Sequence, residues 1–123
     1  MSSSSVIKEN LLSAFPDEFA HQATSVTEFL EPYLASSNTF SPNQLLPISI
    51  GKATVNIPYR IYFSDKQLPQ YSSLNPEHQL LYSCLLSRHP NGYIRQKAAE
   101  FILQSDHIWS SICLLYTSDA ADD

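Results

Sequence analysis

Glycine is nearly missing from this chain, with two residues in 123 against eight prolines. Gly-rich phosphate cradles and collagen-like repeats both need glycine, so neither is available. Gly51-Lys52 followed by Thr54 has the outline of the end of a phosphate-binding loop. That loop requires an upstream Gly and a Ser or Thr directly after the Lys, and neither is present. Basic charge is scarce too: 7 Lys and Arg face 12 Asp and Glu, a formal net charge of −5. Duplex nucleic acid demands clustered cations for its phosphates, so it is not an expected partner. Nor does any run approach the roughly 18 to 20 uninterrupted apolar residues of a membrane helix. Met1-Ser-Ser-Ser-Ser5 lacks the basic start and apolar core of a secretory signal. The expectation is a cytoplasmic protein with no membrane or nucleic-acid partner.

Catalytic and metal-binding patterns are equally thin. His21, His78, His89 and His107 are scattered, and Glu77-His78 lacks the paired histidine spacing of a zinc helix, so no metal and no cofactor is expected. No Gly-x-Ser-x-Gly elbow exists for a serine hydrolase. Cys84 sits in the apolar run Leu80-Leu-Tyr-Ser-Cys-Leu-Leu86, where a small buried hydrophobe is its expected role. Glu28 and Glu31 stand three apart on an amphipathic helix, which reads as a solvated face.

What is present is an apolar fraction of 43%, enough for one globular core in a chain of this length. The expected class is mainly α: N-terminal helices over 1–34, a connector over 35–47, an extended or β-hairpin segment over 48–63, and a helical hairpin over 75–112. Ile7, Leu11 and Phe15 recur at helical spacing behind the caps offered by Ser3 to Ser5. From Asp17 to Leu34, Phe19, Ala23, Val26, Leu30 and Leu34 make one stripe, with a break or early stop expected at Pro32. The period then changes to two, as Val55, Ile57, Tyr59, Ile61 and Phe63 alternate with polar or interrupting residues. Ile48 and Ile50 could pair with this segment across Gly51, and Pro58 confines it to a sheet edge.

The C-terminal half is the most informative. Asn75-Pro76-Glu77 combines a side-chain cap, a proline at the first helical position and a carboxylate at the positive end of the dipole. Leu81, Cys84 and Leu85 follow on the buried face until Pro90-Asn91-Gly92 forces a turn. A second helix carries Ile94, Ala98, Phe101 and Ile102 on one face, and a turn this short makes the pair an antiparallel αα-hairpin. Ser105-Asp106 offer a cap for a third helix near His107 to Trp109. That helix is expected to be cut short, leaving an apolar patch around Leu103, Ile108 and Trp109.

The polar cluster Arg88, His89, Asn91, Tyr93, Arg95 and Gln96 is dense enough to bear a site. As a binding patch, Arg88 and Arg95 would fork an acidic group while His89 and Tyr93 orient it. As structure, the same arginines would satisfy helix ends or meet Glu77 and Glu100 in solvent. The spacing favours structure, with Arg95 four residues after Asn91 and within reach of the turn.

Two resemblances add to this reading. Asn91-Gly-Tyr-Ile94-Arg95-Gln-Lys-Ala98-Ala-Glu-Phe-Ile102-Leu103 resembles the second helix of a HEAT-type repeat. That family opens this helix with an Asp or Asn, an Ile-Arg or Val-Arg pair and then a small residue. The resemblance implies a structural Asp or Asn and Arg, bonding within and between repeats, and a surface that binds other proteins; here Asn91 stands where Asp is usual. Leu80 to Ile102 also resembles uncharacterised bacterial helical proteins. The tail Cys113-Leu-Leu-Tyr-Thr-Ser-Asp-Ala-Ala-Asp-Asp123 resembles the translation of a sequencing-library adapter. That resemblance implies a native domain over 1–112, truncated at its C-terminal end, and a non-native tail over 113–123. Removing the three aspartates of the tail brings the formal charge from −5 to −2 and leaves Cys84 as the one native cysteine.

The expected function is a non-enzymatic helical, repeat-like protein-interaction or scaffold module. The alternative is an enzyme fragment whose catalytic residues lie partly beyond this chain.

Overall fold

A computed structural model describes residues 11–35, 38, 44–50, 52–70, 72, 74–107 and 109–117. The fold is mainly α, with a two-stranded antiparallel hairpin between N-terminal and C-terminal helices. The chain divides into two compact units, Met1–Gln67 and Leu68–Asp123. Val6 to Asn10 of the first expected helix lie outside the described residues.

In the first unit, Pro16 precedes a 3-10 turn, Asp17–Phe19, that leads into helix α1, Ala20–Leu30. The apolar stripe is buried as its spacing requires: Phe19, Ala23, Val26 and Leu30 are inaccessible to solvent, with Leu11, Ala14 and Phe15 beside them. The polar residues that interrupt the sequence of this helix bond back to it. Thr24 donates its hydroxyl to the Ala20 carbonyl at 2.8 Å and Ser25 to that of His21 at 3.4 Å. Thr27 is the exception, since its fully buried hydroxyl has no hydrogen-bond partner. The α-helix ends two residues before Pro32 and tightens into a 3-10 turn, Glu31–Tyr33.

Strands β1, Leu45–Ile50, and β2, Ala53–Pro58, pair antiparallel with Ile48 opposite Val55. β1 therefore begins inside the expected connector. Tyr59 donates its amide to the Gln44 carbonyl at 3.0 Å, which fixes the hydrogen-bonded rungs at alternate pairs outward from there. Pro47 and Pro58 both fall between those rungs, so neither proline removes a ladder bond. On the outer side of β2, Asn56 donates its amide to the Ser13 carbonyl at 3.1 Å.

The alternation expected to run to Phe63 stops early. Val55, Ile57 and Ile61 are buried, but Tyr59 is 41% exposed. The chain leaves the ladder after the Tyr59 rung, so pairing no longer sets the faces beyond it. Asn38 then holds the extended segment with its side chain. Its Nδ2 donates to the carbonyls of Ala35 at 2.9 Å and Tyr62 at 2.8 Å, and its Oδ1 accepts the Tyr62 amide at 3.0 Å.

The second unit contains α2, Pro76–Leu86, α3, Gly92–Gln104, and the short α4, Ser110–Cys113, which continues as a 3-10 turn over Leu114–Thr117. Asn75 caps α2, accepting the His78 amide at 2.9 Å. Every residue from Leu80 to Arg88 is buried. A helix buried on all sides is a central one, and α3, α4 and the following turn pack around it.

The third helix starts later than its expected cap. Ser105 Oγ accepts the His107 amide at 3.2 Å and His107 Nδ1 accepts the Trp109 amide at 3.1 Å, so these side chains shape a turn and α4 follows from Ser110. Beyond it, Cys113 and Tyr116 are buried, and the Tyr116 carbonyl takes hydrogen bonds from Ser87 Oγ at 3.1 Å and Arg88 Nη1 at 2.9 Å. Of the expected apolar patch, Leu103 is 67% exposed and Trp109 half-buried, while Ile108 lies outside the described residues. No helix is long and apolar enough to cross a membrane among the described residues.

Candidate functional site

The turn between α2 and α3 gathers the polar cluster, and its geometry shows how each side chain is used. Asn91 caps α3 by accepting the amides of Tyr93 at 2.8 Å and Ile94 at 3.4 Å. Arg95, one turn into the helix, folds back over its own N-terminus. Its Nη1 donates to the carbonyls of His89 and Pro90, both at 2.8 Å, and the side chain is buried. Gly92 leaves room for that return, because a Cβ at this position would lie 3.3 Å from Arg95 Nη2. His89 completes the turn through Nδ1, which accepts the Asn91 amide at 2.9 Å. Burial first and the Arg95 charge second lower the affinity of the His89 ring for a proton below the ordinary value of 6.5.

The remaining members point elsewhere. Arg88 is 1% exposed and spends Nη1 on the Tyr116 carbonyl, away from solvent. Gln96 bonds Glu100 at 3.2 Å on the exposed side of α3. Tyr93 is 67% exposed, with the Lys97 ammonium 5.4 Å from the centre of its ring. Structure thus brings His89, Asn91 and Arg95 together around backbone groups, while Arg88, Tyr93 and Gln96 diverge. Of the two carboxylates weighed as partners for the arginines, Glu77 lies 3.4 Å from His107 and Glu100 3.8 Å from Lys97.

The cysteines offer no nucleophile at Cys84. Both are free and buried, and burial pushes the Cys84 thiol well above its usual range, with the hydrogen bond to Cys113 adding to the shift. Among the described residues no group of three or more His, Cys, Asp or Glu could hold a metal ion.

Sequence reasoning missed an apolar cleft of about 370 Å³ beside the turn. Leu86 of α2 and Tyr93, Ile94 and Lys97 of α3 line it, closed on one side by the extended segment Leu68-Pro69-Gln70. Tyr82 pins that segment, donating its hydroxyl to the Pro69 carbonyl at 2.7 Å. The available signal was Tyr93 and Lys97 at i, i+4, off the buried face of α3. The wall itself comes from a stretch with no periodicity, which sequence patterning leaves unassigned. The chain matches no known protein family, and no curated protein or solved structure matches it either.

Proposed function

We propose that the C-terminal helical unit is a non-enzymatic protein-interaction module that takes an apolar side chain of a partner protein into the cleft beside Tyr93. The observation that carries this reading is the division of labour at the hairpin. Nδ1 of His89, Oδ1 of Asn91 and Nη1 of Arg95 are turned onto backbone groups, whereas the surface left open beside them is apolar and aromatic. Tyrosine supplies a large contact area at small entropic cost, and exposed aromatics anchor interfaces. Lys97 at the rim favours an acidic residue next to the partner's anchor. The HEAT-type resemblance of α3 supports the same class of function. On this reading the protein works in the cytoplasm, which its two free thiols support.

Selection of a random peptide library on the purified chain tests the proposal. Peptides with an aromatic or aliphatic anchor next to an acidic residue should be enriched, and Tyr93→Ala and Lys97→Glu should each lose them. An enriched set that binds both variants as well as the parent would refute the assignment of the cleft, and so would a failure to enrich any sequence.

A further inference from the structure

We propose that His89 is a pH-sensitive latch on the α2–α3 turn: the neutral ring holds the turn closed through Nδ1, and protonation frees the Asn91 amide and frays the start of α3. The geometry makes the charge state of this ring decisive. Nδ1 accepts the Asn91 N–H at 2.9 Å, and an imidazolium has no acceptor left, so the two N–H groups would then face each other. The effect does not stop at one bond. Asn91 carries the cap of Tyr93 and Ile94 on its side chain and accepts the Arg95 amide on its carbonyl at 3.1 Å, so displacing it loosens the first turn of the helix.

The charges packed around the turn point the same way. Arg95 of α3 bonds its guanidinium to the carbonyl of His89 itself, while Arg88, just after α2, turns Nη1 onto the Tyr116 carbonyl. On the same two helices Glu77 lies 3.4 Å from His107 and Glu100 3.8 Å from Lys97. Burial and the Arg95 charge keep the ring neutral at neutral pH, so the latch is closed there and opens in acid.

A second histidine provides an internal contrast. His107 makes the same turn at the end of α3, accepting the Trp109 amide at 3.1 Å, but its Nε2 faces Glu77. The inference concerns the hairpin alone and stands whether or not the cleft binds a partner.

Nuclear magnetic resonance of the full chain tests it. Ring nitrogen shifts should show the Nε2–H tautomer of His89 at about pH 7. On acidification, hydrogen-exchange protection of the Asn91 amide, corrected for its intrinsic rate, should fall about tenfold along the titration of the His89 ring. His89→Asn supplies a neutral acceptor suited to the same turn and should keep the amide protected throughout. His89→Ala should leave it unprotected at every pH. A ring in the Nδ1–H tautomer, a wild-type amide that does not follow the ring, or a His89→Asn chain that keeps the wild-type pH curve would each overturn the proposal. The first two readouts need no variant, so a His89→Ala chain that failed to fold would leave the decision intact.

Discussion

Replacing Arg95 with alanine should destabilise the helical hairpin by about 2 kcal/mol. Two charge-assisted hydrogen bonds are at stake, from Nη1 to the carbonyls of His89 and Pro90, and bonds to charged groups are worth about 1.5 to 3 kcal/mol each. Both bonds share one nitrogen, and the two carbonyls can recover water once the side chain is gone, which brings the sum down to about the value of one such bond. Arg95→Met separates the stem from the head: it keeps the apolar stem and should lose nearly as much as Arg95→Ala. Arg95→Lys retains a cation without the planar fork and should cost about 1 kcal/mol. Unfolding in urea followed by far-ultraviolet circular dichroism reads the effect as a lower midpoint at unchanged slope. An Arg95→Ala chain as stable as the parent would refute the reasoning, and if it also lost peptide binding, Arg95 would belong to the interaction surface.

Three further outcomes follow from the same geometry. Asn75→Ala removes the cap on the His78 amide and should cost about 1 kcal/mol in urea unfolding, and Asn75→Asp should restore most of it. Thr27→Val replaces a buried hydroxyl that has no hydrogen-bond partner with a methyl group, and should raise stability by about 1 kcal/mol where most core changes lower it. The His89 ring binds its proton less readily folded than unfolded, so its contribution to stability is complete above about pH 6.5 and is lost as the pH falls through its depressed value. Urea midpoints measured down to about pH 5 should show that decline, and His89→Asn should lack it.

The parts of the fold that were legible in the sequence are those set by local chemistry. Asn75-Pro76-Glu77 announces a helix because a capping side chain, a fixed φ and a carboxylate at the dipole are all encoded within three residues. The stripe from Phe19 to Leu30 is legible because a helix needs one buried face and the spacing displays it. The strands were legible in kind but not in extent. Alternation in Val55, Ile57, Tyr59 and Ile61 continues through Pro58 as a pattern, whereas a strand ends where its partner does, and the partner of β2 begins at Leu45. Histidine was also undervalued as a turn-former. Ser105-Asp106 looks like a cap, yet His107 takes the Trp109 amide and delays α4 to Ser110.

At the candidate site, sequence displayed the cluster but could not apportion it. Arg88 and Arg95 look alike as letters near a turn, and their fates differ through the backbone each can reach. Arg95 lies within one helical turn of Asn91, so its partners are local and its spacing foretells them. Arg88 bonds a carbonyl 28 residues away, a contact that no local pattern contains. The cleft is illegible for the same reason. Tyr93 and Lys97 mark one wall by helical spacing, but the opposite wall is Leu68-Pro69-Gln70, fixed by the Tyr82 hydroxyl on a carbonyl 13 residues before it. Such a surface exists only after the chain has folded. The polar cluster advertises itself in the sequence because its residues are adjacent, and adjacency is also what lets them satisfy one another. In this turn His89, Asn91 and Arg95 use Nδ1, Oδ1 and Nη1 on neighbouring backbone groups. The apolar cleft beside it, assembled from distant residues, is the surface to which the proposed partner binding is assigned.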